Sequence, residues 1–129
     1  MKAYIINLKK SVDRKRYMQE QLEKMLFLSA EFVEAVDARG MTDKDKNDFF
    51  NTELFCKRYV KEVRPGEIGC TLSHQKCYRK LVESREKYAL ILEDDIVIRH
   101  KIDTLVPEIE KLLNTDEPRV ILLSGWYWY

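Results

Sequence analysis

The chain has 129 residues, 45% of them hydrophobic and 35% charged, and a formal net charge of +1. This length suits one domain with a real core, the composition excludes a disordered chain, and the charge balance excludes a broad electrostatic footprint for nucleic acid. No apolar run approaches the roughly 20 residues of a membrane span. Met1-Lys2 leads directly into Ala3-Tyr4-Ile5-Ile6-Asn7-Leu8 without signal-peptide architecture, so a cytoplasmic protein is expected. Cys56, Cys70 and Cys77 contain no CxxC pair. They suggest neither a disulfide framework nor a zinc site and read as reduced, buried packing residues.

Tyr4–Leu8 reads as the first strand of a parallel sheet, with Asn7 near its carboxyl end, where a polar side chain could reach a ligand. Ser11 offers an N-cap for a helix carrying Met18, Leu22, Met25 and Leu26 on one stripe. Arg14, Lys15 and Arg16 sit in its first turns, where the helix dipole disfavours cations unless an anion lies opposite. A phosphate would satisfy them; a merely solubilising role is the alternative. Phe32–Val36 reads as a second strand closed by Asp37, so the chain begins as a βαβ unit. Between Met41 and Tyr59 a charged stretch has Phe49, Phe50, Leu54 and Phe55 as its apolar side, and Thr42 could cap a helix over part of it.

Arg64-Pro65-Gly66 signals a turn, after which Glu67 begins a helix. At about 100° per residue, Ile68, Leu72, Tyr78, Leu81 and Val82 share one broad arc, with Cys70 and Cys77 at its edge and His74 inside it. Ser73, Lys76, Lys80 and Glu83 fall opposite. A lone histidine on an apolar arc is more often a satisfied core residue than a ligand. Gly69 inside the helix costs about 1 kcal/mol relative to alanine, so something is expected to pack closely on it.

Tyr88–Leu92 is apolar and reads as a central strand buried on both faces, running into Glu93-Asp94-Asp95 before Ile96-Val97-Ile98. Three adjacent carboxylates repel one another and resist burial, so they call for a counter-charge. A divalent cation with a preference for oxygen, Mg²⁺ or Mn²⁺, would supply it at the strand end where α/β sheets bind ligands. A solvated strand exit is the other reading. Pro107 suits the first turn of a helix ending near Asn114, with Ile109, Leu112 and Leu113 inward. Val120–Leu123 reads as a further buried strand. Trp126, Tyr127, Trp128 and Tyr129 either dock on the body, fill an oligomer contact, or belong to a longer protein.

Three segments together resemble glycosyltransferase family 25, the family of bacterial lipooligosaccharide galactosyltransferases. They are Tyr4-Ile-Ile-Asn-Leu8 followed by Asp13-Arg14, Gly66-Glu-Ile-Gly-Cys-Thr-Leu-Ser-His74, and Leu90-Ile-Leu-Glu-Asp-Asp95; Ala35-Val-Asp37 adds a fourth likeness. The resemblance implies a GT-A-type, Rossmann-like, mostly parallel α/β sheet flanked by helices. Residues 1–129 would form a single nucleotide-sugar-binding domain, truncated before the acceptor portion.

It further implies a UDP-sugar donor, most often UDP-galactose, and inverting, metal-dependent transfer to a saccharide or lipooligosaccharide. Carried over by motif, Asp95 would ligate the metal. Glu93 would contact the ribose or a metal-bound water, beside Asp94. Asn7 and Arg14 would lie near the nucleotide and Asp37 near the uridine, while Glu67 and His74 would take part in donor binding or its support. A general base is not assigned. Expected partners exclude nucleic acid and include the cytoplasmic face of the inner membrane, as a peripheral contact, and a second copy through the aromatic terminus.

A non-catalytic domain of the same fold, kept for donor binding or interaction, is the competing expectation. A phospho-receiver domain would need acidic residues after the first strand, where Asn7-Leu8-Lys9-Lys10 stands, and a dinucleotide dehydrogenase would need GxGxxG.

Overall fold

The structure, a computed structural model, describes residues 1–99 and 102–123. It falls into two compact units, Met1–Val97 and Ile98–Tyr129. In the first unit β1 (Lys2–Asn7), α1 (Val12–Leu22), β2 (Ser29–Glu34), a 3-10 turn (Ala38–Gly40), α2 (Asp43–Phe49), α3 (Thr52–Tyr59), α4 (Pro65–Ser84) and β3 (Ala89–Glu93) follow one another. The second unit contains α5 (Ile102–Leu113). Among the described residues no helix is long and apolar enough to cross a membrane.

The expected α/β class holds: the three strands form one parallel sheet in the order β2-β1-β3. Ile5 stands opposite Phe32 on one side and Leu92 on the other, so all three strands end at nearly the same level. β1, not β3, is the central strand. Its residues from Ala3 to Asn7 are buried, whereas β3 lies at the edge of the described sheet with only Leu90 buried. Full burial of a side chain such as Ile5 contributes about 1.5–3 kcal/mol. Tyr4 and Ile6 project to one face, two residues apart, and form a core with Val33 and Cys77, against which Leu81 and Ile91 pack.

α4 packs against all three strands and the 3-10 turn. It begins at Pro65 rather than Glu67, because proline suits the first helical position. Its buried line is Ile68, Gly69, Ser73 and Cys77, rotated from the expected arc. Tyr78 and Val82 are exposed, while Ser73, expected on the solvent side, is 1% exposed. Two hydrogen bonds reconcile that hydroxyl with burial: it donates to the Gly69 carbonyl at 2.6 Å and accepts from Val36 N–H at 2.9 Å. Gly69 is required by close approach, since a Cβ there would stand 2.5 Å from the Val36 carbonyl oxygen.

Other expectations shift in the structure. α1 ends at Leu22, so Met25 and Leu26 lie beyond it and Leu26 is 95% exposed; Ser11 holds the N-cap position without a side-chain bond. β2 begins at Ser29 and ends before Val36, whose N–H is turned to Ser73. Thr42 does cap α2, in a reciprocal pair with Asp45, but Asn51 starts a separate α3. Val120–Leu123 is not a strand, for it finds no sheet partner among the described residues. Pro107 lies inside α5 rather than in its first turn, and Leu112 is exposed. Of the cysteines Cys77 is buried as expected, Cys56 is half-buried and Cys70 is exposed. Trp126–Tyr129 lie outside the described residues.

Candidate functional site

The carboxyl ends of the three strands and the first turns of α4 enclose a cleft of about 340 Å³ within the first unit. β3 delivers Glu93 as its last residue, and Asp94 and Asp95 follow in a turn. The three carboxylates part company there. Asp94 is 7% exposed; it accepts from Asn7 Nδ2 at 2.7 Å and from Arg14 at 3.0 Å. Asn7 reaches it because β1 ends alongside β3, and its other amide hydrogen donates to the Ser11 carbonyl. Glu93 and Asp95 remain half-exposed toward the cleft, with Arg14 3.5 Å from Asp95.

Arg14 therefore meets carboxylates of its own chain in the structure. Hydrogen bonding to Asp94, reinforced by Asp95, raises its pKa further. Asp37 lies at the opposite wall, gripped by Arg39 at 2.6 Å and 2.5 Å and by Lys10 at 2.9 Å. These bonds, Arg39's first, hold its carboxyl far below the usual range.

Glu67, expected in the donor site, does not line the cleft. Its carboxylate accepts from Lys61 and from the Arg64 N–H at the start of α4, and Lys61 lowers its pKa most. His74 does line the cleft and is not a core residue; its Nε2 stands 3.3 Å from Glu93 Oε1. Cys70, one turn earlier, faces the same oxygen at 3.7 Å. Partial burial, then the charge of Glu93, raises the thiol's pKa.

Sequence reasoning singled out neither Arg39 nor Cys70. Cys70 and His74 are four apart in a helix, a spacing that places them together; nothing local signals that Glu93 joins them.

The cleft wall carries Asp37, Glu93, Asp94 and Asp95 against Arg14 and Arg39. Lys10 also reaches Asp37, so with His74 neutral four carboxylates face three cations and leave a net of one negative charge. Glu93 and Asp95 supply carboxylate oxygens of the kind Mg²⁺ and Mn²⁺ bind, so the donor chemistry fits a hard divalent cation.

A parallel sheet with a polar cleft at its carboxyl edge defines the α/β proteins that bind ligands there. The chain belongs to one family of them: residues 1–129 match Glycosyltransferase family 25 (LPS biosynthesis protein). It is 36% identical over 96 residues to a glycosyltransferase 25 family member of Aedes aegypti, covering 72% of this chain and 16% of that protein. A glycosyltransferase 25 family member of Anopheles gambiae is 32% identical over 96 residues, covering 72% of this chain and 16% of that protein. The mouse procollagen galactosyltransferase 2 is 30% identical over 115 residues, covering 84% and 18% respectively. The chain thus spans less than a fifth of the length of these relatives.

Proposed function

We propose that this chain forms the donor-binding part of a metal-dependent glycosyltransferase that uses a UDP-sugar, with galactose as the transferred hexose. The observation that carries the reading is the cleft's pair of half-exposed carboxylates, Glu93 and Asp95, at the carboxyl edge of the sheet. Such a cleft repels a diphosphate by itself and accepts one together with a divalent cation. The galactose assignment leans on the name of the procollagen galactosyltransferase relative. The family's description as an LPS biosynthesis protein supports a saccharide or lipooligosaccharide hydroxyl as acceptor, and a lipid-linked one would draw the protein to the cytoplasmic face of the inner membrane.

Asp95 and Glu93 would hold Mn²⁺ or Mg²⁺, which supplies charge neutralisation to the departing UDP. Asp94 is not an outward ligand in this reading. Buried and fixed by Asn7 and Arg14, it sets the turn that aims its two neighbours. Arg14 sits beside Asp95, where its guanidinium can also meet a phosphate oxygen. Asp37 and Arg39 form a polar pair at the far wall, suited to the ribose and base of the nucleotide.

Calorimetric titration of UDP and UDP-galactose with and without Mn²⁺ tests the reading. Wild-type protein is expected to bind UDP in a Mn²⁺-dependent manner, and Asp95→Ala to lose that dependence while keeping its circular dichroism. Unchanged Mn²⁺-dependent affinity in the variant overturns the metal assignment. Donor binding without transfer to any saccharide acceptor would instead mark a donor-binding module.

A further inference from the structure

We propose that Cys70, His74 and Glu93 form a thiol-containing site for a borderline divalent cation, Zn²⁺ by donor chemistry, which shares Glu93 with the carboxylate pair that serves the donor. The three ligand atoms lie within 4.8 Å of one another. Zn²⁺ bonds of about 2.0–2.3 Å to nitrogen, oxygen and sulfur place neighbouring tetrahedral ligands about 3.3–3.8 Å apart. Two edges of that tetrahedron already exist: His74 Nε2 to Glu93 Oε1 is 3.3 Å, and Cys70 Sγ to Glu93 Oε1 is 3.7 Å. The third edge joins two residues one helical turn apart on α4, which share a face.

The donor set selects the ion. A thiolate and an imidazole favour Zn²⁺ over the oxygen-seeking Mg²⁺ and Mn²⁺. Three protein ligands leave the fourth position open to water. All three side chains are accessible, so an ion can enter from the cleft. The other two thiols are placed differently, Cys77 fully buried in the sheet core and Cys56 on α3.

Glu93 then belongs to two sites, since the donor reading also assigns it to the hard cation. Binding of Oε1 between Cys70 and His74 restricts the carboxylate's turn toward Asp95 and draws charge from its other oxygen, so Zn²⁺ and the metal-bound donor compete. This competition rests on the donor reading; Zn²⁺ binding itself does not.

Titration of the full chain with Co²⁺ as a spectroscopic probe separates the two. The wild type is expected to take up one equivalent with a thiolate-to-cobalt charge-transfer band, which Zn²⁺ abolishes by displacement. Cys70→Ser should lose the band, and His74→Gln should retain it while binding at least about tenfold more weakly. Absence of the band in the wild type overturns the site, and so does a band of equal strength in Cys70→Ser with unchanged circular dichroism.

For the competition, saturating Zn²⁺ is expected to weaken Mn²⁺-dependent UDP binding in the wild type and to leave it unchanged in Cys70→Ser. Equal weakening in both proteins overturns the competition. Failure of UDP to bind at all, with the cobalt band intact, counts against the donor reading and leaves the Zn²⁺ site standing.

Discussion

At the end of β3, Asp94 is buried and its charge is met by Asn7 and Arg14, which lie 87 and 80 residues away in sequence. At the end of β2, Asp37 is exposed and held by Arg39, two residues along, and by Lys10. The two carboxylates face one cleft and are both paired with cations, yet their pairings do different work. The Asp94 network ties β1, α1 and β3 together, so it belongs to the fold as much as to the site. The Asp37 pairs are solvent-exposed, and surface pairs of this kind contribute little to stability.

The contrast is broken most directly by Asp94→Ala. It leaves the buried Asn7 amide without one of its two partners and Arg14 without its main one, so an unfolding free-energy loss of about 2–3 kcal/mol is expected from urea denaturation. Asp37→Asn, measured in parallel, should leave the urea midpoint unchanged. Equal losses in the two variants would erase the distinction between a structural and a local carboxylate.

A smaller loss, about 1–3 kcal/mol, is expected for Gly69→Ala, because the new Cβ would press on the Val36 carbonyl just before Asp37. A midpoint equal to wild type would show that β2's exit is free to move off α4. That outcome would also make the Asp37 wall of the cleft adjustable.

The smallest effect sharpens the comparison by pH. Burial pushes the Cys77 thiol from 9.0 up to about 11 in the folded protein. Above pH 9 the unfolded chain therefore releases this proton first, and stability falls as pH rises toward about 11. Cys77→Ala should remove that part of the alkaline slope in urea midpoints. The slope surviving intact would assign the loss to other groups.

Much of this was legible locally. The parallel α/β class follows from apolar runs alternating with a helical period, and Tyr4-Ile5-Ile6 reads as buried from its composition alone. The capping role of Thr42 follows from a hydroxyl three residues before Asp45. The resemblance carried by Gly66–His74 and Leu90–Asp95 was enough to identify the family, which the match over residues 1–129 shows. Periodicity misled at Ser73, because it scores a hydroxyl as solvent-facing and cannot see that Val36 N–H and the Gly69 carbonyl await it. It misled again at Val120–Leu123, where the apolar run finds no ladder to join among the described residues.

The sequence by itself determined the fold class, the strand-helix-strand start of the chain, and that an acidic run from Glu93 to Asp95 closes an apolar strand, since all of these depend on residues within a few positions of one another. The tertiary structure alone decided which strand is central, which of the three carboxylates is buried, and that Glu93 meets Cys70 and His74. Those outcomes depend on the parallel register that sets Ile6 against Glu93 and on α4 packing across the sheet. Such pairings join residues far apart along the chain, and no local pattern encodes them.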